Sequence, residues 1–130
     1  MAKNSINLTE AEWNVMECLW ERSPQTGREV IRQLEEKAGW NRSTTLTLLS
    51  RLEAKGAVSS NSEGSKKTFS AVLKREDAAM QETEDFLSRV YKGSLSLLVS
   101  AMTKKKSLSK TEIQELYAML KELEGGNEDA

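Results

Sequence analysis

The side chains on which most enzymes rely are nearly missing from this chain of 130 residues. There is no His and a single Cys, which rules out a Cys/His zinc site and a catalytic His dyad or triad. The acidic pairs Glu35-Glu36 and Glu84-Asp85 fall on predicted helix exteriors, with no metal-ligand set and no phosphate loop beside them. Hydrolase or transferase chemistry therefore has little to work with, and no cofactor or metal is expected. The polar residues that do cluster are of another kind. Arg42, Ser43, Thr44, Thr47 and Arg51 lie within ten positions, and Lys66 and Lys67 follow. Short hydroxyls reach base edges or phosphates when a helix sits deep in a major groove, and Lys and Arg neutralise phosphate. Leu46, in the same run, can touch a thymine methyl but cannot hydrogen-bond a base.

A net charge of −1 conceals how the charge is distributed. Residues 1–75 carry twelve Lys and Arg against nine Asp and Glu, or +3, and residues 76–130 carry seven against eleven, or −4. Between 41 and 75 the basic residues are Arg42, Arg51, Lys55, Lys66, Lys67, Lys74 and Arg75, opposed only by Glu53 and Glu63. A basic working surface joined to an acidic, solubilising half is the natural reading. No apolar run approaches twenty residues, and Met1-Ala2-Lys3-Asn4-Ser5 has no signal-peptide character. Neither membrane insertion nor export is expected, and the cytoplasm is the expected location. Cys18 shares an apolar helix face with Val15, Met16 and Leu19, as a buried thiol would, with a redox role the alternative.

The elements that must position these side chains are mostly helices, given 38% hydrophobic residues, 5% aromatic and one Pro. Thr9-x-x-Glu12, Thr26-x-x-Glu29 and Ser109-x-x-Glu112 each fit the capping box that opens a helix. The first predicts a helix over 9–21, stopped by Ser23-Pro24. The second predicts 27–37, closed by Gly39, with Trp40 as a core plug. Asn41 caps a third helix that ends at Gly56, its buried stripe being Thr45, Leu48, Leu49 and Leu52. Ser43, Thr47 and Ser50 lie opposite that stripe, flanked by Arg42, Thr44, Leu46 and Arg51. Alternation across 57–72 around Gly64 reads as a β-hairpin. Three helices and a hairpin, in that order, predict a winged helix-turn-helix over 1–73, mainly α with a small β wing.

Residues 74–124 predict three further amphipathic helices, at 76–91, 94–103 and 109–124, too few to enclose a core of their own. Their apolar faces suggest a two-fold homodimer, with folding back onto the winged domain as the rival. The expected interface comprises Phe86, Leu87, Val90, Tyr91, Leu95, Leu98, Val99, Met102, Ile113, Leu116, Met119, Leu120 and Leu123. Lys104-Lys105-Lys106 reads as a solvated helix end, and 125–130 as a disordered tail.

The stretch Leu8-Thr9-Glu10-Ala11-Glu12-Trp13-Asn14-Val15-Met16 with Leu19-Trp20 resembles the opening helix of the penicillinase-repressor family. That family includes the β-lactamase, methicillin-resistance and copper-transport repressors of Gram-positive bacteria. The resemblance continues in register through Gly39-Trp40, Ser43-Thr44, Thr47 to Leu52, Lys55-Gly56-Ala57, Glu63-Gly64, Phe86-Leu87, Tyr91 to Leu95, Leu98-Val99 and Glu112 to Leu116. It implies a cytoplasmic, dimeric repressor of a resistance operon, such as one for β-lactamase. The implied ligand is double-stranded operator DNA with palindromic TACA/TGTA-type half-sites, read by the third helix and the wing. Relatives often carry a basic or polar residue at the position of Leu46, and an Arg and an aromatic in the wing where Ser65, Lys66 and Lys67 stand. The family's staphylococcal β-lactam repressors are cut by a membrane sensor protease at an Asn-Phe pair, which this chain lacks; the corresponding place for a cut is Ala101-Met102. Two alternatives stay open: a winged-helix protein-interaction adaptor, and a repressor of unrelated genes released by an unknown ligand.

Overall fold

Capping and glycine chemistry sets most of the element boundaries. A computed structural model describes residues 6–105 and 108–129. Residues 1–5, and with them the reading of the N-terminus as leaderless, lie outside the described residues, as do Lys106, Ser107 and Ala130. The elements are α1 (Glu10–Glu21), β1 (Gln25–Thr26), α2 (Gly27–Ala38), α3 (Arg42–Lys55), β2 (Val58–Glu63), β3 (Lys66–Ala71), α4 (Arg75–Tyr91), α5 (Leu95–Lys105) and α6 (Lys110–Asp129). They fall into two units, Met1–Asp85 and Phe86–Ala130.

In the first unit both expected capping boxes close. Glu12 N donates to Thr9 Oγ1 at 3.1 Å while Thr9 N donates to Glu12 Oε1 at 2.8 Å. Thr26 and Glu29 repeat this at 3.2 and 2.8 Å. Such caps contribute about 1 kcal/mol each by satisfying amide groups that have no partner within the helix. Helices α2 and α3 end on Gly39 and Gly56, whose φ of 69° and 87° favour glycine.

The core is built from Val15, Met16 and Leu19 of α1, Val30 and Leu34 of α2, Leu48, Leu49 and Leu52 of α3, and Phe69 of β3. Trp40 is half-buried against it, as expected of a plug. Cys18 is buried and unpaired, and burial pushes its thiol pKa up, which leaves the inert-thiol reading.

The hairpin has company that the sequence does not announce. Gln25 and Thr26 pair antiparallel with Phe69 and Thr68, so the sheet order is β1-β3-β2 and β3 is central. A two-residue strand is too short to show alternation. Its anchor is the buried Gln25, whose Nε2 donates to the carbonyls of Cys18 and Arg22, both at 2.7 Å. Its Oε1 accepts from Gln33 Nε2 at 2.6 Å. The architecture is the predicted winged helix-turn-helix, mainly helical, with three strands rather than two.

The division between units falls inside α4, whereas the sequence reading ends the winged domain at residue 73. The reason is that the first turn of α4 is fastened to α1 and the strand end: Ala78 is buried and Arg75 pairs with Glu17.

In the second unit, α4 ends in a tight turn at Lys92 and Gly93, both with positive φ, where Gly93 N donates to Leu87 O at 3.0 Å. Ser94 Oγ accepts from Leu97 N, opening α5. The third capping box also closes, with Glu112 N donating to Ser109 Oγ at 3.1 Å. Helix α6 departs from expectation at its far end. It continues through Gly125 and Gly126 to Asp129, where the sequence reading ends it at 124 and begins a disordered tail. Glycine costs a helix about 1 kcal/mol per residue relative to Ala but leaves every backbone donor in place, so the hydrogen-bond ladder can run on. Among the described residues, no helix is long and apolar enough to cross a membrane.

Candidate nucleic-acid interface

Helix α3 carries the predicted DNA-facing residues on three exposed ridges, because positions four and seven apart share a side of a helix. Arg42 and Leu46 form one, Ser43, Thr47 and Ser50 the second, and Thr44 and Arg51 the third. Their opposite face, Thr45, Leu48, Leu49 and Leu52, is buried in the core, so the register of the outward face is fixed by packing. Asn41 caps the helix by accepting from Thr44 N at 2.9 Å, and the Ser43 hydroxyl donates to the same Oδ1 at 3.0 Å. Ser43 is therefore partly engaged in holding the helix start, with acceptor capacity left over. Arg42, Ser43, Thr44, Thr47 and Arg51 are exposed.

Leu46 is placed differently from its neighbours. It is half-buried and packs on the core, within ordinary van der Waals distance of where a side chain on Gly27 would begin. Only part of it faces outward, so it serves as a spacer between α2 and α3 as well as an apolar surface.

The wing turns at Gly64, whose φ is 64°, and the register pairs Glu63 with Lys66 and Ser62 with Lys67. Lys67 Nζ lies 5.4 Å from the Phe69 ring centroid, so its stem is laid along the strand. A cleft of about 710 Å³ brings the start of α2, the start of α3 and the wing together. It is lined by Thr26, Gly27, Arg28, Glu29, Ile31, Arg42, Leu46, Ser65, Lys66 and Lys67. Four cations share that concavity, and Arg28 is one the sequence reading missed; its exposed place in the first turn of α2 was visible in the pattern. The one carboxylate, Glu29, is held below the usual range by the Thr26 amide of its capping box, so it stays charged.

Two of the seven basic residues between 41 and 75 do not belong to this surface. Lys55 Nζ donates to Glu12 Oε1 at 2.6 Å and to Asn7 O at 2.8 Å, tying the end of α3 to α1. Glu12 is buried; desolvation pushes its carboxyl up, but Lys55 and Thr9 together hold it below the ordinary range. Arg75 donates twice to Glu17, at 3.2 and 2.9 Å. Among the described residues Arg42, Arg51, Lys66, Lys67 and Lys74 have no such ion pair.

In the second unit the expected interface side chains are mostly exposed. Phe86, Val90, Leu95, Val99, Met102, Ile113, Leu116, Met119, Leu120 and Leu123 are open, while Leu87, Tyr91 and Leu98 are half-buried. Leu97 and Tyr117, which are not in that expected set, are equally open. Phe86 and Tyr91 meet edge to face with centroids 5.8 Å apart. The described residues hold no group of His, Cys, Asp and Glu able to bind a metal.

Residues 8–122 match the protein family described as penicillinase repressor. The chain is 33% identical to the penicillinase repressor of Bacillus licheniformis over 92% of its own length and 94% of the relative's. It is 27% identical to the methicillin resistance regulatory protein MecI of Staphylococcus aureus, over 92% and 98%. In structure it resembles the DNA-binding domain of the repressor BlaI, with a TM-score of 0.52 and 30% identity, covering 57% of this chain and 90% of that one. It also resembles the monomeric form of Bacillus licheniformis BlaI in complex with the blaP half-operator, with a TM-score of 0.50 and 31% identity, covering 55% and 87%. These relatives are repressors that bind DNA and not enzymes, in keeping with a surface rich in cations and hydroxyls and poor in catalytic side chains. A winged-helix core in the expected register, matched over nearly its whole length to those proteins, means that this chain belongs to the penicillinase repressor family.

Proposed function

We propose that this chain is a dimeric transcriptional repressor of a resistance operon, such as one for β-lactamase. It binds a palindromic operator with TACA/TGTA-type half-sites, inserting α3 in the major groove and resting the wing on phosphate. The observation that carries this reading is the common concavity of α2, α3 and wing, where Arg28, Arg42, Lys66 and Lys67 stand beside the exposed hydroxyls of α3. Thr44 and Thr47 are the base readers in this scheme, with Arg42 and Leu46 at its edge; Arg51, Lys66 and Lys67 hold the backbone. The half-operator bound by the related BlaI supports one winged domain per half-site. Exposed apolar side chains along 86–123 support a two-fold partner, since burying them removes oily surface from water at about 25 cal/mol per Å².

Such a repressor works where the DNA is, in the cytoplasm. Release follows from a cut at or near Ala101-Met102 in α5 by a membrane sensor protease, which severs α6 from the rest of the chain. The shortened module then buries too little apolar surface to hold the dimer, and bivalent binding falls to that of one winged domain.

Sedimentation of the full chain at tens of micromolar, with titration of duplexes carrying one or two inverted TACA half-sites, tests the reading. A dimer that binds the double site about 100-fold or more tighter than the single site is expected. A monomer with equal affinity for both duplexes would sink it.

A further inference from the structure

The first turn of α4 is held by a cluster that the DNA-facing surface does not use. Trp13 and Trp20, seven residues apart on one face of α1, meet edge to face with centroids 5.1 Å apart. The guanidinium of Arg75, the first residue of α4, lies 5.8 and 5.7 Å from the two ring centroids. Glu17 completes the cluster. Its carboxylate accepts from Arg75 Nε and a terminal guanidinium nitrogen, and from Trp13 Nε1 at 2.8 Å. A two-pronged Arg–carboxylate bond fixes orientation as well as distance, which a Lys at the same place cannot do. Just before it, Trp20 Nε1 donates to Leu73 O at 2.8 Å; just after it, Ala78 is buried. From Glu82 to Asp85 every side chain is exposed. Helix α4 is thus a lever fastened within its first turn.

We propose that Arg75, gripped by Glu17 beside Trp13 and Trp20, is the positioning residue that fixes the direction of α4 and thereby sets which spacing between operator half-sites the dimer accepts. The inference rests on the dimeric, operator-binding reading above. Its physical basis is leverage. The seventeen residues of α4 span about 25 Å, so a change of about 10° at the fastened end displaces the other by about 4 Å. That exceeds the rise of about 3.4 Å per base pair, so play at the cluster translates into tolerance of spacing. The pair is half-exposed and contributes little to stability, so its effect is on geometry.

The test starts from the duplex that the full-length chain binds tightest in a random-sequence library. That duplex is rebuilt with its two half-sites moved by one to three base pairs, and as one half-site alone. The unaltered chain is expected to lose about 10-fold or more in affinity at a two-base-pair shift. Arg75→Ala should lose less than about 3-fold there, while its affinity for the single half-site stays within about 2-fold. Glu17→Gln, which removes the same grip from the other side, should flatten the spacing profile likewise, and Arg75→Lys should fall between. Variants that keep the sharp profile overturn the proposal, and so does a loss of single half-site binding equal to the loss on the double site. If the unaltered chain binds the double site no better than the single one, the dimeric reading itself fails and the proposal falls with it.

Discussion

Thr45 is the residue in α3 whose chemistry is least well matched to its surroundings. Its side chain is fully buried and, among the described residues, its hydroxyl has no hydrogen-bond partner, so the helix proposed to face DNA holds an unsatisfied polar group in the core. Thr45→Val keeps the shape and removes the hydroxyl. It is expected to raise stability by about 1 kcal/mol in chemical denaturation and to leave DNA affinity unchanged. Lys55 is the opposite case, a cation whose removal strands a buried carboxylate. Lys55→Met is expected to cost about 2–3 kcal/mol, less than a fully buried pair because Lys55 stays partly in water. The linked pH effect has a definite sign. The carboxyls of Glu12 and Glu17 are held below their ordinary 4.5, so their contribution is present above that pH and lost as pH falls through the lower folded values. Stability should therefore drop below about pH 4.5, and Lys55→Met should flatten that acid limb when melting is followed against pH.

Among the elements, the proposed function has α3 and the wing divide the labour of recognition, and salt titration separates them. Replacing Lys66 and Lys67 with Ala is expected to weaken binding to all duplexes alike and to lower the salt slope by about one unit for each phosphate that is no longer neutralised. Thr44→Ala or Thr47→Ala, on the exposed ridges of α3, should instead alter which sequences are preferred, by about 1–3 kcal/mol where the hydroxyl reads a base. An unchanged ratio of operator to random-DNA binding would show that the threonines do not read bases. Arg28 belongs with the lysines in this scheme, since it sits at the start of α2 in the same cleft.

For the molecule as a whole, the proposed function makes operator affinity and release both depend on the second unit. Leu116→Glu or Leu120→Glu places a charge on an exposed apolar stretch of α6. Either is expected to leave the winged unit folded by circular dichroism while shifting sedimentation towards monomer, because a carboxylate in a dimer interface must be desolvated without a partner. During induction with a cell-wall antibiotic in the host, mass spectrometry of the chain should show a fragment ending near Ala101-Met102. Intact protein that has nonetheless left its operator would exclude cleavage as the switch.

Local chemistry made much of this protein legible from its sequence. The capping boxes at Thr9, Thr26 and Ser109, the glycine stops at Gly39 and Gly56, and the apolar stripe of α3 all act within four or five residues, so spacing alone revealed them. The outward ridges of α3 followed, since burying one face of a helix determines the other. What the sequence could not show was decided by partners far along the chain. Strand β1 exists because β3, more than forty residues later, offers its edge. Lys55 is taken out of the basic surface by Glu12, and Arg75 by Glu17 and the two indoles, in pairings 43 and 58 residues apart. Charge counts along a sequence treat every cation as available. Only the tertiary structure, by bringing some of them within 3 Å of a carboxylate, decides which remain for DNA and which hold the molecule in shape.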